Sequence, residues 1–425
     1  IGMQEVADSL NRNVSQGRFK AYFREIIKQA DGLKQSGRVL LHQEIIVRCE
    51  ASKKNIILLL FNDLLVHLPE TKLKNKAIYG DERYQWPMNL IWIKENREFT
   101  KIIGPSGKYK IRTTDIQAWK PQLETAIKEY LSKQDYSDKD EEVSLYSAYR
   151  YGSYEFEPTV GNFSGRWNYG KMELGKYSYS GNIYDGHFID GLKDGYGTLI
   201  TRFGNTYTGY FAKGRPHGEG TQVDKQGNKY TGYFVHGLKQ GHGIMKFSSG
   251  DIYEGEWVND TPQGQGTMIY SSGNIYKGNW DGGFYHNFGT LTVGDTTYEG
   301  MFNYGLKEGK GIMTGPKGIY DGDWKANLKE GFGEYTTERG VYSGEWVADL
   351  QEGKGTVTFS DSYFGTSYTG QFKRGQFHGQ GKIVYATSNV QSYEGEWIFG
   401  RKNGKGLLVF CNTDTFDGFF KDGQF

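Results

Sequence analysis

Three groups of residues in this chain have types and spacings that could do chemistry. The first is a glycine–lysine element, Glu308-Gly309-Lys310-Gly311, which returns as Glu352-Gly353-Lys354-Gly355. A phosphate-cradling loop needs a further glycine five residues before its Gly-Lys pair. Those positions hold Tyr304 and Ala348, so both elements read as repeat glycines. The second group is His217, His236, His242, His286 and His378. No cysteine pair or carboxylate cluster accompanies them, and a zinc site is not expected. The third group is basic: Arg48, Lys53 and Lys54, with Lys72, Lys74 and Lys76 in a neighbouring stretch. Such clusters neutralise phosphates on an anionic leaflet, at about 1 kcal/mol per cation near the surface. The bland reading of the same residues is a solvated surface. No nucleophile–base pairing stands out, so neither a catalytic residue nor a cofactor is expected.

The elements that must carry these residues are dominated by one repeat. A Tyr-x-Gly-x-Trp/Phe signature opens at Tyr184, Tyr207, Tyr230, Tyr253, Tyr276, Tyr298, Tyr320, Tyr342, Tyr368 and Tyr393. In a strand, residues i, i+2 and i+4 share a face, so each opening puts two aromatics on one side with a glycine between them. A Gly-x-Gly pair follows, for example Gly218 and Gly220, and then a second β-prone stretch such as Ile244-Met245-Lys246-Phe247. Two strands joined by a short glycine-containing loop read as a hairpin. At Asn287 an asparagine replaces the first glycine of the pair. Asparagine is the residue after glycine that best tolerates positive φ, so the backbone conformation is expected to persist there.

A lone hairpin cannot bury its aromatics, but stacked hairpins can. Ten of them predict about twenty antiparallel strands at ~4.8 Å spacing, an arm of roughly 100 Å. Phe163-Ser-Gly165-Arg-Trp167 is a degenerate copy before the array, and Phe416-Asp-Gly418-Phe-Phe420 opens a further half-copy. Tip loops vary more than the strands. Phe284-Tyr285-His286 and Phe377-His378 are apolar where other repeats are polar, which makes them candidates for contact with a protein partner.

Composition narrows the function classes. The formal net charge is +1, with 51 basic and 50 acidic residues, so no nucleic-acid footprint is present. Residues 1–150 carry 25 basic and 20 acidic side chains, which leaves 26 and 30 for residues 151–425. Two cysteines, Cys49 and Cys411, give no disulfide framework and suit a reducing compartment. The longest apolar run, Ile56 to Phe61, is far short of a membrane span.

The N-terminal part reads differently. Met3, Val6, Ala7 and Leu10, and then Phe19, Phe23, Ile26, Ile27 and Ala30, have helical spacing. Extended segments follow at 38–49, 56–68, 85–93, 99–103 and 109–113. A helix is expected over 115–132, with Trp119, Leu123, Ile127 and Leu131 as its apolar stripe. Residues 135–142 form a polar linker, and Tyr146, Tyr149, Tyr151 and Tyr154 are expected to start the array's leading edge strand.

The ten openings resemble the MORN repeat, whose core is Tyr-x-Gly-x-Trp-x-x-Gly-x-x-x-Gly-x-Gly. Leu58-Leu-Leu-Phe61-Asn62-Asp63-Leu64-Leu65, with Trp119 in the closing helix, resembles a pleckstrin homology (PH) domain that follows a Dbl homology domain in Rho guanine-nucleotide exchange factors. The resemblances imply a mainly β fold in four parts. Residues 1–34 are the end of the Dbl homology domain with linker helices. Residues 35–134 are a PH-like β-barrel or sandwich with a C-terminal helix. Residues 135–162 are linker and leading edge. Residues 163–425 are an elongated antiparallel β-hairpin array with ten full repeats over 184–415 and partial repeats at both ends.

They also imply a non-catalytic regulatory segment of a Rho/Rac exchange factor. Its partners would be a Rho-family GTPase through the parent protein, a protein bound by the array, and a second copy of the chain. The location implied is cytoplasmic, with recruitment to the membrane or cell cortex. The family's lipid-binding PH domains carry alternating basic residues into the second strand, where this chain has Ile56-Ile57-Leu58. The alternative reading is a peripheral membrane module that binds anionic phospholipids or phosphoinositides through both parts. A cryptic enzyme would need a substrate-sized pocket with convergent polar groups.

Overall fold

The computed structural model describes residues 40–49, 54–61, 64–69, 85–95, 97, 99–112, 117, 120–134, 143–156, 160–360, 366–386 and 389–424. The helical segments expected within residues 1–34, the polar linker 135–142, and Trp119 lie outside them. The chain divides into two compact units, residues 1–217 and 218–425.

In the first unit, β1 (Leu40–Cys49), β2 (Lys54–Phe61), β3 (Leu64–Pro69) and β4 (Gln85–Pro87) pair antiparallel in sequence order. β5 (Trp92–Glu95), β6 (Phe99–Gly104) and β7 (Gly107–Arg112) form a three-stranded antiparallel sheet. One helix follows, α1 (Lys120–Ser132). Two boundaries differ from the sequence reading. The segment 56–68 is two strands, β2 and β3, rather than one. The segment 85–93 is broken by a 3-10 turn at Met88–Leu90, immediately after Pro87. Proline has no N–H to give a ladder, so a strand ends there readily. Leu123, Ile127 and Leu131 of α1 are buried with Leu58, Leu60, Leu65, Trp86, Met88, Leu90 and Trp92.

The same unit contains the first hairpins of the array. β8 (Tyr149–Glu155) pairs antiparallel with strand Asn162–Asn168, which carries the degenerate copy Phe163 and Trp167. Both of those aromatics are fully buried. Arg150 on β8 is buried as well. Its guanidinium donates to the carbonyls of Ile91 and Leu145 and stands 5.3 Å from the Trp92 ring. Asn89 Nδ2 donates to the Tyr151 carbonyl at 2.7 Å. The strand that opens the array is therefore anchored on the 3-10 turn by charge-assisted and amide hydrogen bonds.

The second unit is built of consecutive antiparallel strands, of which Gly318–Lys325 and Leu328–Thr337 are representative. Tyr320 faces Tyr335, Gly322 faces Gly333 and Trp324 faces Lys329. Two steps on one strand thus match four on the other, which is a bulge. The first glycine of each Gly-x-Gly pair sits in it with positive φ, as at Gly309 (68°) and Gly331 (70°). Asn287 keeps the conformation at 51°. The second glycine is required for space, because a Cβ on Gly333 would lie 2.4 to 2.6 Å from the Tyr320 ring. The tips are two-residue turns with both residues at positive φ, for example Ala326 (49°) and Asn327 (73°). That turn matches the twist of flanking strands. The tips are therefore shorter than the sequence reading, and the candidates at 284–286 and 377–378 lie in strands Phe284–Val293 and Gln376–Val384 rather than in loops.

Candidate interaction face

Each signature tyrosine is buried and holds its hydroxyl on its own strand. Tyr320 Oη donates to the Asp323 carbonyl at 2.9 Å, and the other nine do the same three residues on, at 2.8 to 3.2 Å. Tyr320 meets Trp324 of its own repeat edge-on at 5.1 Å and Trp346 of the next at 5.2 Å. Edge-to-face pairs of this kind contribute roughly 0.5–1.5 kcal/mol beyond area burial. The tryptophans add a second fixing contact, since Trp324 Nε1 donates to the Gly311 carbonyl and Trp346 Nε1 to the Gly333 carbonyl. Burial raises the tyrosine pKa values, to about 12 at Tyr207, Tyr230, Tyr298 and Tyr393 and higher at Tyr320.

A second row covers these rings. The residue paired with each Trp or Phe stands beside the neighbouring tyrosine, and six of those in the second unit contact its ring. In the second unit this residue is Lys239, Pro262, Tyr285, Lys307, Lys329, Gln351, Phe377 and Lys402 in turn. Tyr285 stacks on Tyr276 at 3.6 Å, and Phe377 on Tyr368 at 3.7 Å. Lys307 Nζ lies 4.9 Å from both the Tyr298 and Trp324 rings, and Lys402 Nζ 5.0 Å from Tyr393. Burial holds the Lys307, Lys329 and Lys402 ammonium groups below their ordinary pKa. At Lys307 and Lys329 the charge of Asp349 works against that effect.

A third row on this face is apolar and half-buried: Met245, Met268, Leu291, Met313, Tyr335 and Val357 stand beside successive tyrosines. The residue after the covering position joins neighbouring repeats. Glu308 accepts from the Ala326 N–H at 3.0 Å and Glu330 from the Ala348 N–H at 3.1 Å. At two joints a histidine takes that place. His286 lies 4.9 Å from the Tyr304 ring and His378 5.1 Å from Phe399.

The opposite face is more polar. It carries exposed ion pairs such as Lys310–Asp323 and Lys382–Glu394, and scattered exposed apolar residues including Phe288, Met301 and Phe332. A shallow depression of about 540 Å³ is lined by Phe332, Ser343, Lys354, Thr356, Thr369, Gln371 and Gln380. No acid–base or nucleophile pairing converges in it. Among the described residues no group of three or more His, Cys, Asp or Glu is placed to hold a metal ion, and no helix is long and apolar enough to cross a membrane.

The candidate residues therefore separate. Phe284 is exposed at 55 %, while Tyr285 and Phe377 belong to the covering row and His286 and His378 to the joints. Arg48 and Lys54 lie on facing strands, with Arg48 paired to Asn55 and Lys54 to Cys49. Lys53, Lys72, Lys74 and Lys76 lie outside the described residues. The covering lysines were not among the candidates, although Leu-Lys after a tip recurs at 192–193, 238–239, 306–307 and 328–329.

Repeated hairpins with interleaved tyrosine and tryptophan rungs define an antiparallel β-hairpin array. The MORN repeat family matches ten segments: 184–202, 207–229, 230–252, 253–275, 276–295, 298–319, 320–340, 342–362, 368–390 and 393–415. These cover more than half of the chain, and the chain belongs to the MORN-repeat family. No curated protein matches it. Among solved structures, a streptogramin B lyase is 10% identical with a TM-score of 0.12, covering 56% of this chain and 88% of its own. Virginiamycin B lyase from Staphylococcus aureus is also 10% identical at 0.12, covering 54% and 85%. At those scores neither carries an argument.

Proposed function

We propose that this chain is a non-catalytic interaction segment and that the tyrosine face of residues 218–425 binds a protein partner. One observation carries this reading. Half-buried Met245, Met268, Leu291 and Met313 follow one another in successive repeats, on the face that also carries Lys239, Lys307, Lys329 and Lys402. Methionine adapts its shape to a partner. An amphipathic segment with an apolar stripe and acidic flanks fits such a surface. On this reading Tyr285, Phe377, His286 and His378 shape the face, and Phe284 extends it.

The parent protein, we infer, is a Rho-family exchange factor in which this segment restrains or directs exchange. Sheets of four and three strands followed by one helix are the element order expected of a PH domain, which supports that context. A second reading, binding to anionic phospholipid, is favoured by the β1–β2 hairpin end, where Arg48 and Lys54 lie one pair apart on facing strands.

The test is neutralisation of the lysines in the full parent protein, as Lys307→Gln, Lys329→Gln and Lys402→Gln together. Glutamine already occupies the equivalent position at Gln351, so the fold is expected to persist. The proposal expects lost partner association and an altered exchange rate. Unchanged partners and rate would contradict it.

A further inference from the structure

Lys329 has more aromatic rings around its ammonium than Lys307 or Lys402. Its Nζ lies 4.3 Å from the Tyr335 ring centre, 4.8 Å from Trp346 and 5.0 Å from Tyr320. Lys307 and Lys402 each have two rings within 6 Å. The difference is Tyr335, which stands in the row where other repeats have Met245, Met268, Leu291, Met313 or Val357.

The three walls are held independently of the lysine. Tyr335 Oη donates to the Lys317 carbonyl at 2.8 Å, Tyr320 Oη to Asp323 at 2.9 Å, and Trp346 Nε1 to Gly333 at 3.1 Å. Trp346 stands nearly perpendicular to both tyrosines, at 84° to Tyr320 and 83° to Tyr335. Two joints with the next tip, Lys329 N to Asp349 Oδ1 at 2.9 Å and Asp349 N to the Lys329 carbonyl at 3.1 Å, fix the backbone beneath. This is a preorganised aromatic box, and ordering it on binding costs little.

Aromatic boxes of this size recognise quaternary ammonium groups. A trimethylammonium is less strongly hydrated than the primary ammonium of lysine, so it gives up less on entering. Burial disfavours the Lys329 ammonium, an effect that Asp349 opposes and Lys307 adds to. The Lys329 side chain is flexible and half-exposed, so it can leave.

We propose that Tyr320, Tyr335 and Trp346 form a binding site for the phosphocholine group, with Lys329 as a displaceable plug. The trimethylammonium takes the place of Lys329 Nζ. The released Lys329 and the neighbouring Lys307 then present positive charge to the phosphate. That charge selects a zwitterion with an anionic arm and disfavours a trimethyl-lysine in a basic peptide. The site is independent of whether the same face also takes a protein.

The experiment titrates the intact 425-residue protein with phosphocholine, observing saturation transfer to the choline methyl protons and heat of binding. Phosphoethanolamine serves as the control without methyl groups and is expected to bind at least about tenfold more weakly. Tyr335→Met, which restores the residue of other repeats, is expected to weaken phosphocholine about tenfold with an unchanged melting curve. Trp346→Phe, the residue equivalent to Phe302 and Phe372, is the second wall variant should the first fold poorly. Lys329→Gln removes the plug, and choline alone is expected to bind it more tightly than the unaltered protein.

Flotation with pure phosphatidylcholine vesicles assigns the group to a lipid headgroup. Binding of soluble phosphocholine without flotation assigns it to a soluble ligand, and both support the site. Absence of phosphocholine binding to the unaltered protein and to Lys329→Gln overturns the proposal. So does equal affinity in both wall variants, or preference for a trimethyl-lysine peptide.

Discussion

At the residue scale, the tyrosine hydroxyl explains why the array uses tyrosine where phenylalanine would fill the same space. The ring is buried between two perpendicular neighbours, and the hydroxyl reaches a carbonyl that the bulge leaves off the ladder. Tyr320→Phe keeps the ring and removes that donor. It is expected to cost about 1 kcal/mol in chemical denaturation, with an unchanged spectrum. The hydroxyls also set an alkaline limit. Their folded pKa lies above the ordinary value of 10.0, at about 12 for Tyr207, Tyr230, Tyr298 and Tyr393. The stabilisation is complete below pH 10 and lost as pH rises towards 12, because the unfolded chain ionises first. Melting temperature measured across that window should fall steeply, with tyrosinate absorbance rising together with unfolding. Tyrosinate formation well before loss of structure would contradict the burial argument. The glycines act through space: Gly333→Ala should cost about 2–3 kcal/mol, since the Tyr320 ring cannot yield without leaving Trp346.

At the scale of elements, the hairpins could be read from the sequence because their periodicity is strict. Tyr, Gly and Trp at i, i+2 and i+4 name a buried face, and Asn287 for glycine predicted a left-handed residue that is there at 51°. The tips are shorter than the sequence suggests, because a two-residue turn can be built from Ala326-Asn327 as well as from a glycine pair, and alanine gives no signal for positive φ. The covering row leaves little signal in the sequence for a different reason. Lysine, proline, tyrosine, glutamine and phenylalanine share one structural position there, so no single residue type marks it in every repeat. Tyr285 and Phe377 cover the ring by stacking, and the lysines do so by placing their charge over it. Arg150 was also silent in sequence, since its partners Ile91 and Leu145 contribute only backbone carbonyls. Arg150→Met should strand those carbonyls and cost about 3 kcal/mol. Hydrogen exchange is expected to rise in β8 and at residues 88–91 together. A rise confined to β8 would show that the strand and the 3-10 turn are not coupled.

At the scale of the whole molecule, the two sides of the sheet in residues 218–425 differ in kind. One is aromatic, methionine-lined and lysine-covered. The other carries exposed ion pairs, which contribute about 0–1 kcal/mol each, among exposed apolar side chains such as Tyr233, Phe288 and Phe332. The central claim is that the first side is the one used. Methionines on both sides make this measurable in one experiment: Met245, Met268 and Met313 stand on the tyrosine face, and Met301 is paired with Phe288 on the other. Oxidative footprinting should be run on the isolated chain and on the chain within its native assembly, with each methionine quantified by mass spectrometry. The account predicts slower oxidation of Met245, Met268 and Met313 in the assembly while Met301 is unchanged. Protection of Met301 instead, or equal rates at all four positions, would contradict it.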